Sequence, residues 1–471
     1  MTTQTLQVNK DVLLRSVLKR SFKHFVRYFW DVIIPETLVA NWHIDYLADE
    51  LQQIVWRAAD RKPKDADLVI NIPPGTTKST LTTIMLPAYA WAVDPTLKII
   101  TCSYSSTLSI AHALKSRDIV RSDKYRRLFP EVQIKKDQDN KSQYETTAGG
   151  QRLATSVGGT ITGFHAHIII VDDPINAQEA ISDTLLDKAG KFMDETLATR
   201  KIDKAGTPTI MVMQRLHDRD PSGRWLSREK SPVKHICLPG IKSSDIKPPE
   251  LAEYYDNEGA GLLDHKRLGV AELNELKTRL GSYGWAGQVL QSPIPREGAI
   301  WQPSWFRLGK EVPELRYLAT FWDLAYTKNE KNSASAYVRA GTDAQGNCWV
   351  VDAGYHFKEF PALVQVMAAK EGPHIVENKA SGKSAVQVLK SHGLPAREYQ
   401  VKGTDKIART TLVTPYAEAG KLILTPQAAE VLLQDPQQSV LKFPNAAHDD
   451  LNDALVMAMT KLLAKPKVVI F

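Results

Sequence analysis

The sequence predicts an α/β protein made of two successive α/β parts. Two observations carry this. From Asp67 onward, short β-rich runs alternate with helical stretches: LVINI (68–72), KIITCS (98–103), HIIIVDD (167–173) and TPTIMVM (207–213). The first, third and fourth are near-continuous apolar runs, as parallel strands buried on both faces should be. The helices between them supply the crossovers that a parallel sheet needs. A second alternation starts near Arg316, after a Pro-rich stretch close to residue 300. Length agrees, because 471 residues are too many for one ordinary core.

Taken in order, residues 11–34 read as one helix in which Arg15, Lys19, Arg20, Lys23 and Arg27 mix with aromatic residues. That pattern fits an amphipathic helix packed on the protein body, or a contact with DNA or a partner. A further helix is expected from Val39 to about Ala59. The strands and helices of 61–240 form the first α/β core. Residues 241–300 differ: SSDIKPPE, helical AELNELKTRL and GSYGWAGQVLQSPIPREG read as a lid or linker. In 301–471 we expect a strand ending at Asp323, a hairpin (SASAYVRAG, DAQGN, CWVVDAGYHF), a helix near 361–371, the strand HIVEN and a closing helix from about Asp449.

Composition excludes several classes. A 43% hydrophobic and 24% charged chain is that of a globular protein rather than a disordered one. No apolar run reaches the roughly 18 residues of a membrane span, so no membrane association is expected. The opening MTTQTLQVNKDVLLRS is too polar for a secretory signal. Cys102, Cys237 and Cys348 are few, odd in number and widely spaced, which argues against a disulfide framework or zinc cluster and for a reducing cytoplasm. The net charge of +7 is weakly in favour of a polyanionic partner.

The stretch VINIPPGTTKSTLTTI (69–84) carries the first chemical signal. A phosphate-binding loop sits between a strand and a helix and ends Gly-Lys-Ser/Thr. Here Pro74, Gly75, Thr76, Thr77, Lys78, Ser79 and Thr80 occupy that place. Helix N–H groups would meet phosphate oxygens, Lys78 would bridge the terminal phosphates, and Ser79 would ligate magnesium. Thr77 stands where glycine is usual, and glycine there lets the backbone approach phosphate. The alternative is a Pro/Gly turn before a helix start. HIIIVDDP supplies the second half of such a site, with Asp172 on magnesium and Asp173 polarising the attacking water. Its bland reading is a strand capped by an Asp-Pro turn. IMVMQRLHDRD (210–220) ends a third apolar strand, and makes Gln214 and Arg215 candidates for sensing the γ-phosphate, or merely parts of a basic loop. Within GGQRLATSVGGTITGFHAH, Arg152 is either an arginine finger for a neighbouring subunit or a plain hairpin arginine. Trp42 and His43 are candidates for an adenine contact or for the core.

The second signal is a set of carboxylates. FWDLAYT ends a strand at Asp323, HIVENKASG another at Glu377, and HDDLNDALVMAM opens a helix with Asp449, Asp450 and Asp453. Spacings of three and four put two or three of these on one helical face. Any one of them alone is equally a helix cap. Together they would repel one another unless cations neutralised them. Two magnesium or manganese ions would do so and would clamp a phosphodiester for attack by water. Histidine and cysteine ligand clusters are absent from the sequence, so hard oxygen-loving ions are expected rather than zinc. His448 would assist, and Lys379 and Lys383 would meet a DNA backbone. An inactive scaffold of the same fold is the alternative.

PPGTTKST, GGTITGFHAHIII, IIIVDDP, MQRLHDRD, FWDLAYT, VENKASG and HDDLNDA, in that order and over nearly the whole chain, resemble the large terminase subunits of tailed bacteriophages. The resemblance implies an additional-strand, conserved-glutamate (ASCE) P-loop ATPase domain with a parallel sheet, followed by a ribonuclease-H-like nuclease domain. It implies Lys78 and Ser79 as the loop pair, Asp172 as the magnesium residue, and Asp173 as the catalytic carboxylate, more usually glutamate. Gln214 and Arg215 match the coupling segment; Asp323, Glu377 and Asp449 or Asp450 match the nuclease metal ligands. Gly75 sits where many relatives carry a loop arginine. ATP and Mg2+, with Mn2+ as an option at the nuclease, are the implied cofactors. Double-stranded viral DNA, a small terminase subunit, the procapsid portal protein and further copies in a ring are the implied partners, in the cytoplasm of the infected host. Two rivals are a repair- or restriction-type DNA translocase-nuclease, which would need more helicase motifs than one nucleotide site, and a catalytically inactive portal-docking component.

Overall fold

A computed structural model describes residues 10–161, 163–228, 232–256, 261–294, 300–324, 334–378, 380–401, 405–446 and 448–463. The chain divides into two compact units, Met1–Glu275 with Tyr283–Pro295, and Leu276–Ser282 with Arg296–Phe471. Among the described residues, no helix is long and apolar enough to cross a membrane.

The first unit is built on eight strands: β1 (Asp67–Asn71), β2 (Lys98–Ser103), β3 (Ile134–Asp139), β4 (Gln143–Thr146), β5 (Gln151–Ser156), β6 (Ile168–Asp172), β7 (Thr209–Met213) and β8 (Val233–Cys237). Their order is β3-β4-β5-β2-β6-β7-β1-β8. The run from β5 to β8 is parallel, while β3, β4 and β5 pair antiparallel at one edge. Strand residues alternate between two cores. Leu68, Ile70, Ile168, Ile170, Ile210 and Val212 face one; Val69, Ile169, Val171, Met211 and Met213 face the other. A sheet covered on both faces explains the unbroken apolar runs of the sequence. β7 lies between β1 and β6, so one strand separates the loop-bearing strand from the strand that ends at Asp172. That is the additional-strand arrangement.

The expected helix over 11–34 is two helices, Lys10–Arg20 and Phe22–Ile33. Ser21 is extended and caps the second, its Oγ accepting from the His24 N–H at 3.4 Å. The Gln52 side chain, thirty residues away, accepts the Phe22 N–H at 2.7 Å. Phe22, Phe25 and Phe29 are buried in the first core. The basic residues meet acids of the same unit: Arg15 on Glu131, Lys23 on Asp49 and Arg27 on Asp45. The helix expected from Val39 starts at Trp42, with Asn41 as its cap residue (Trp42–Ala59).

The second unit carries β9 (Arg307–Leu308), β10 (Arg316–Asp323), β11 (Ser335–Thr342), β12 (Cys348–His356), β13 (His374–Glu377), β14 (Ala396–Tyr399) and β15 (Leu422–Leu424), ordered β14-β13-β10-β11-β12-β15-β9. The expected hairpin is the antiparallel β11–β12 pair, turning at Gly346 with φ 74°. β10 is antiparallel to β11 and parallel to β13. Three antiparallel strands, β10 to β12, are continued by the parallel β13 and β14, and helices flank this mixed sheet on both faces. The helix Asp450–Leu463 packs on one face with Phe321, Val338 and Ile375. Phe360–Ala369 and Ala380–Ser391 cover the other, around Trp322, Tyr337 and Val376.

Candidate functional site

In the first unit the C-terminal ends of β1, β6 and β7 converge on one cavity of about 470 Å3. Pro74, Gly75, Thr77, Lys78, Ser79, Thr80, Asp173 and Gln214 line it, joined by Tyr104, Leu108, Ile175, Asn176 and Ala177. Ligand crevices form at such strand ends in α/β sheets. Thr76 lies beneath the loop, its hydroxyl donating to Pro73 O at 2.7 Å. The helix after the loop begins with a π-wound segment, Thr80–Met85, before Leu86–Val93 continues it. Of the residues the sequence named, Lys78, Ser79, Asp172, Asp173 and Gln214 are brought together. Lys78 Nζ is 3.0 Å from both Asp173 oxygens and 3.4 Å from Gln214 Oε1. Ser79 Oγ donates to Asp172 Oδ1 at 3.0 Å, and Thr83 Oγ1 donates to Oδ2 at 2.9 Å. Burial, then the Asp173 charge, pushes the Asp172 carboxyl up to about 7, against Lys78, Ser79 and Thr83. His112 Nδ1 stands 3.5 Å from the same carboxylate, and burial lowers this imidazole to about 4.

The residues that sequence reading missed are Thr83, His112 and Tyr104. Thr83 was within reach of it, being four residues past Ser79 on a helix. His112 and Tyr104 follow β2, where no local pattern marks them.

Other residues depart from expectation. Arg152 is fully buried on β5, its guanidinium donating to Thr83 O at 2.7 Å and lying 3.4 Å from Tyr144 Oη. A side chain so enclosed does not reach a neighbouring subunit's phosphates, so Arg152 is a core arginine and not a finger. Trp42 and His43 do not line the cavity. Trp42 stacks on Tyr254, centroids 5.0 Å apart, and His43 is buried with Nε2 3.2 Å from Thr76 O. Arg215 also turns away from the cavity, committed to the buried Asp220 at 3.1 and 3.2 Å.

In the second unit the register sets the ends of β10 and β13 side by side, Trp322 opposite Val376, which makes Asp323 and Glu377 neighbours. Both are buried, as is Asp453 on the closing helix. Burial, then the Asp323 charge, raises the Asp453 carboxyl to about 6. Two cations from the helix Lys406–Glu418 thread the cluster. Lys406 Nζ lies 2.7 Å from Asp449 and 2.9 Å from Asp453; Arg409 lies 3.2 Å from Asp453 and 3.6 Å from Glu377. Asp450 accepts from Gln438 Nε2 at 2.9 Å, and burial, with the Asp323 and Asp449 charges, raises its carboxyl, so it borders the same cluster.

This revises the expectation of carboxylates gathered for metal alone. Among the described residues, no three acidic, histidine or cysteine side chains group closely enough to hold a metal ion. Lys406 and Arg409 already supply the neutralising charge. The donor chemistry nevertheless fits a hard cation: every candidate ligand is a carboxylate, and the raised Asp453 is a charge that a cation would relieve. His448 packs edge-on to Phe357 at 6.1 Å. Lys383 is exposed, and Lys379 lies outside the described residues.

Comparison with protein-family models and with curated proteins gives no match. Solved structures do. The large terminase from a thermophilic bacteriophage is similar in two crystal forms, with TM-scores of 0.52 and 0.50 at 11% identity. Each match covers 88% of this chain and 98% of the phage protein. At that identity the likeness is one of fold, and it spans both units: this chain has the fold of a bacteriophage large terminase.

Proposed function

We propose that the chain is a large terminase subunit, an ATP-driven motor for double-stranded viral DNA that is also a metal-dependent endonuclease. One arrangement carries this reading: Asp172 and Asp173, on a strand once removed from β1, meet Ser79 and Lys78 of the loop. Bound ATP would compete with Asp173 for Lys78, drawing the ammonium onto the terminal phosphates and leaving the Asp173 carboxylate to orient water. Ser79 and Asp172, already paired, are the residues that would hold Mg2+, which would supply neutralisation of phosphate charge. Gln214, within reach of the same lysine, is placed to register its movement.

In the second unit Asp323, Glu377, Asp449, Asp450 and Asp453, drawn closer once Lys406 and Arg409 released them, would be the residues to hold Mg2+ or Mn2+, whose chemistry there would be to polarise a phosphodiester and activate water. Lys406 and Arg409 would yield their carboxylates to the metal and be left to face the anionic DNA backbone. We infer that a small terminase subunit delivers DNA and that copies ring the procapsid portal in the infected host. The test is separation of function. Lys78→Ala should abolish DNA-stimulated ATP hydrolysis and leave Mn2+-dependent plasmid cleavage; Asp323→Ala should do the reverse. A wild-type protein with neither activity, alone or with procapsids, would instead point to a docking component.

A further inference from the structure

The phosphate loop has threonine where the pattern wants glycine, and its backbone shows why glycine is wanted. Thr77 has φ 68°, in the left-handed region that β-branched residues avoid. Its side chain is not left to itself. Arg267 Nη1 donates to Thr77 Oγ1 across 190 residues of sequence. The same guanidinium donates through Nε to Asp264 Oδ2 at 2.6 Å, and Asp264 is fully buried. Burial pushes Asp264 up, but hydrogen bonds from Asn41 and Arg267 and the Arg267 charge outweigh it, so the carboxyl stays below its usual range. The neighbouring residue is gripped as well. His43, neutral because burial lowers it to about 4, meets Thr76 O through Nε2 at 3.2 Å. All these residues belong to the first unit.

We propose that Arg267, braced by Asp264, clasps Thr77 in the conformation glycine would adopt unaided, so that threonine and arginine together replace the missing loop glycine. Arg267 is then a positioning residue for nucleotide binding: it does not line the cavity, and it acts through Thr77, which does. Without the clasp Thr77 relaxes toward negative φ, and its peptide and Cβ rotate into the space a phosphate needs. The inference rests on the nucleotide reading above and gives the residue that makes a non-standard loop competent.

The experiment is titration of the full chain with ADP and Mg2+, by calorimetry, over four variants. Thr77→Val keeps the β-branch and removes only the hydroxyl that Arg267 holds, and should weaken binding about tenfold. Arg267→Ala should do the same. Thr77→Gly should bind more tightly than Thr77→Val, and adding Arg267→Ala to Thr77→Gly should cost no further affinity, because glycine needs no clasp. A merely structural arginine would not be rescued by a glycine in the loop. Should Arg267→Ala not fold, Thr77→Val against Thr77→Gly decides alone. Wild-type binding in Thr77→Val, or a further loss in the folded double variant, overturns the clasp. No ADP binding by the wild type overturns the nucleotide reading, and the clasp with it.

Discussion

A guanidinium enclosed on all sides is held by what it touches, and Arg152 touches Thr83 O and Tyr144 Oη. Removing it strands the Thr83 carbonyl and opens a cavity beneath the helix that follows the phosphate loop. Arg152→Ala should therefore lower unfolding free energy by about 2–4 kcal/mol, read as a reduced denaturation midpoint of the isolated chain. A finger would leave that midpoint unchanged and lose activity only in mixtures of subunits. His235 makes a second argument at this scale. Its Nε2 lies 2.8 Å from Asn71 Oδ1, and burial, then the charges of Arg215 and Lys247, lowers it to about 4 from 6.5. Between those values the unfolded chain binds a proton that the folded chain refuses, so stability is full above pH 6.5 and falls as pH drops toward 4. The effect is at most about 3 kcal/mol. His235→Asn should flatten the fall of the urea midpoint between pH 6.5 and 4.5; an unchanged slope would remove His235 from the account.

Elements were legible where their cause is local. Each of β1, β6 and β7 is an apolar run buried on both faces, so composition alone reveals it. The β11–β12 hairpin carries its turn residues with it. What failed to show was set by distant partners. The break at Ser21 depends on Gln52; the left-handed Thr77 depends on Arg267; the lysine and arginine inside the acidic cluster arrive on a helix that no motif flags. β3 is IKKDQD, too polar to announce a strand, and forms because β4 offers it an edge. The site was read in the same way: strand ends delivered Asp172, Asp173, Asp323 and Glu377, while the cations that hold the helical aspartates, Lys406 and Arg409, lie some forty residues away in sequence. The Ser21 break makes a prediction at this scale. Gln52→Ala leaves the buried Phe22 N–H without its acceptor and should cost about 1–3 kcal/mol, detectable as a lower melting temperature. If the variant melts like wild type, the two helices are set by Ser21 capping alone.

At the scale of the molecule, each sheet is enclosed by its own pair of cores, Phe25, Leu68 and Ile170 in one unit never sharing a cluster with Phe321, Val338 and Leu455 in the other. Two separately closed cores should unfold as two cooperative transitions in calorimetry. Ligands that bind one folded unit raise only its transition, through mass action. ADP with Mg2+ should move the transition that Lys78→Ala also disturbs. Lys406→Met tests the other: it leaves Asp449 and Asp453 facing each other without the ammonium, so in chelator its transition should fall by several degrees. Because metal no longer has to displace that ammonium, Mn2+ should restore the variant by more degrees than it adds to wild type. One transition, raised alike by nucleotide and by Mn2+, would mean that the two cores melt together; a Mn2+ response no larger in Lys406→Met would mean that Lys406 does not compete for the carboxylates at all.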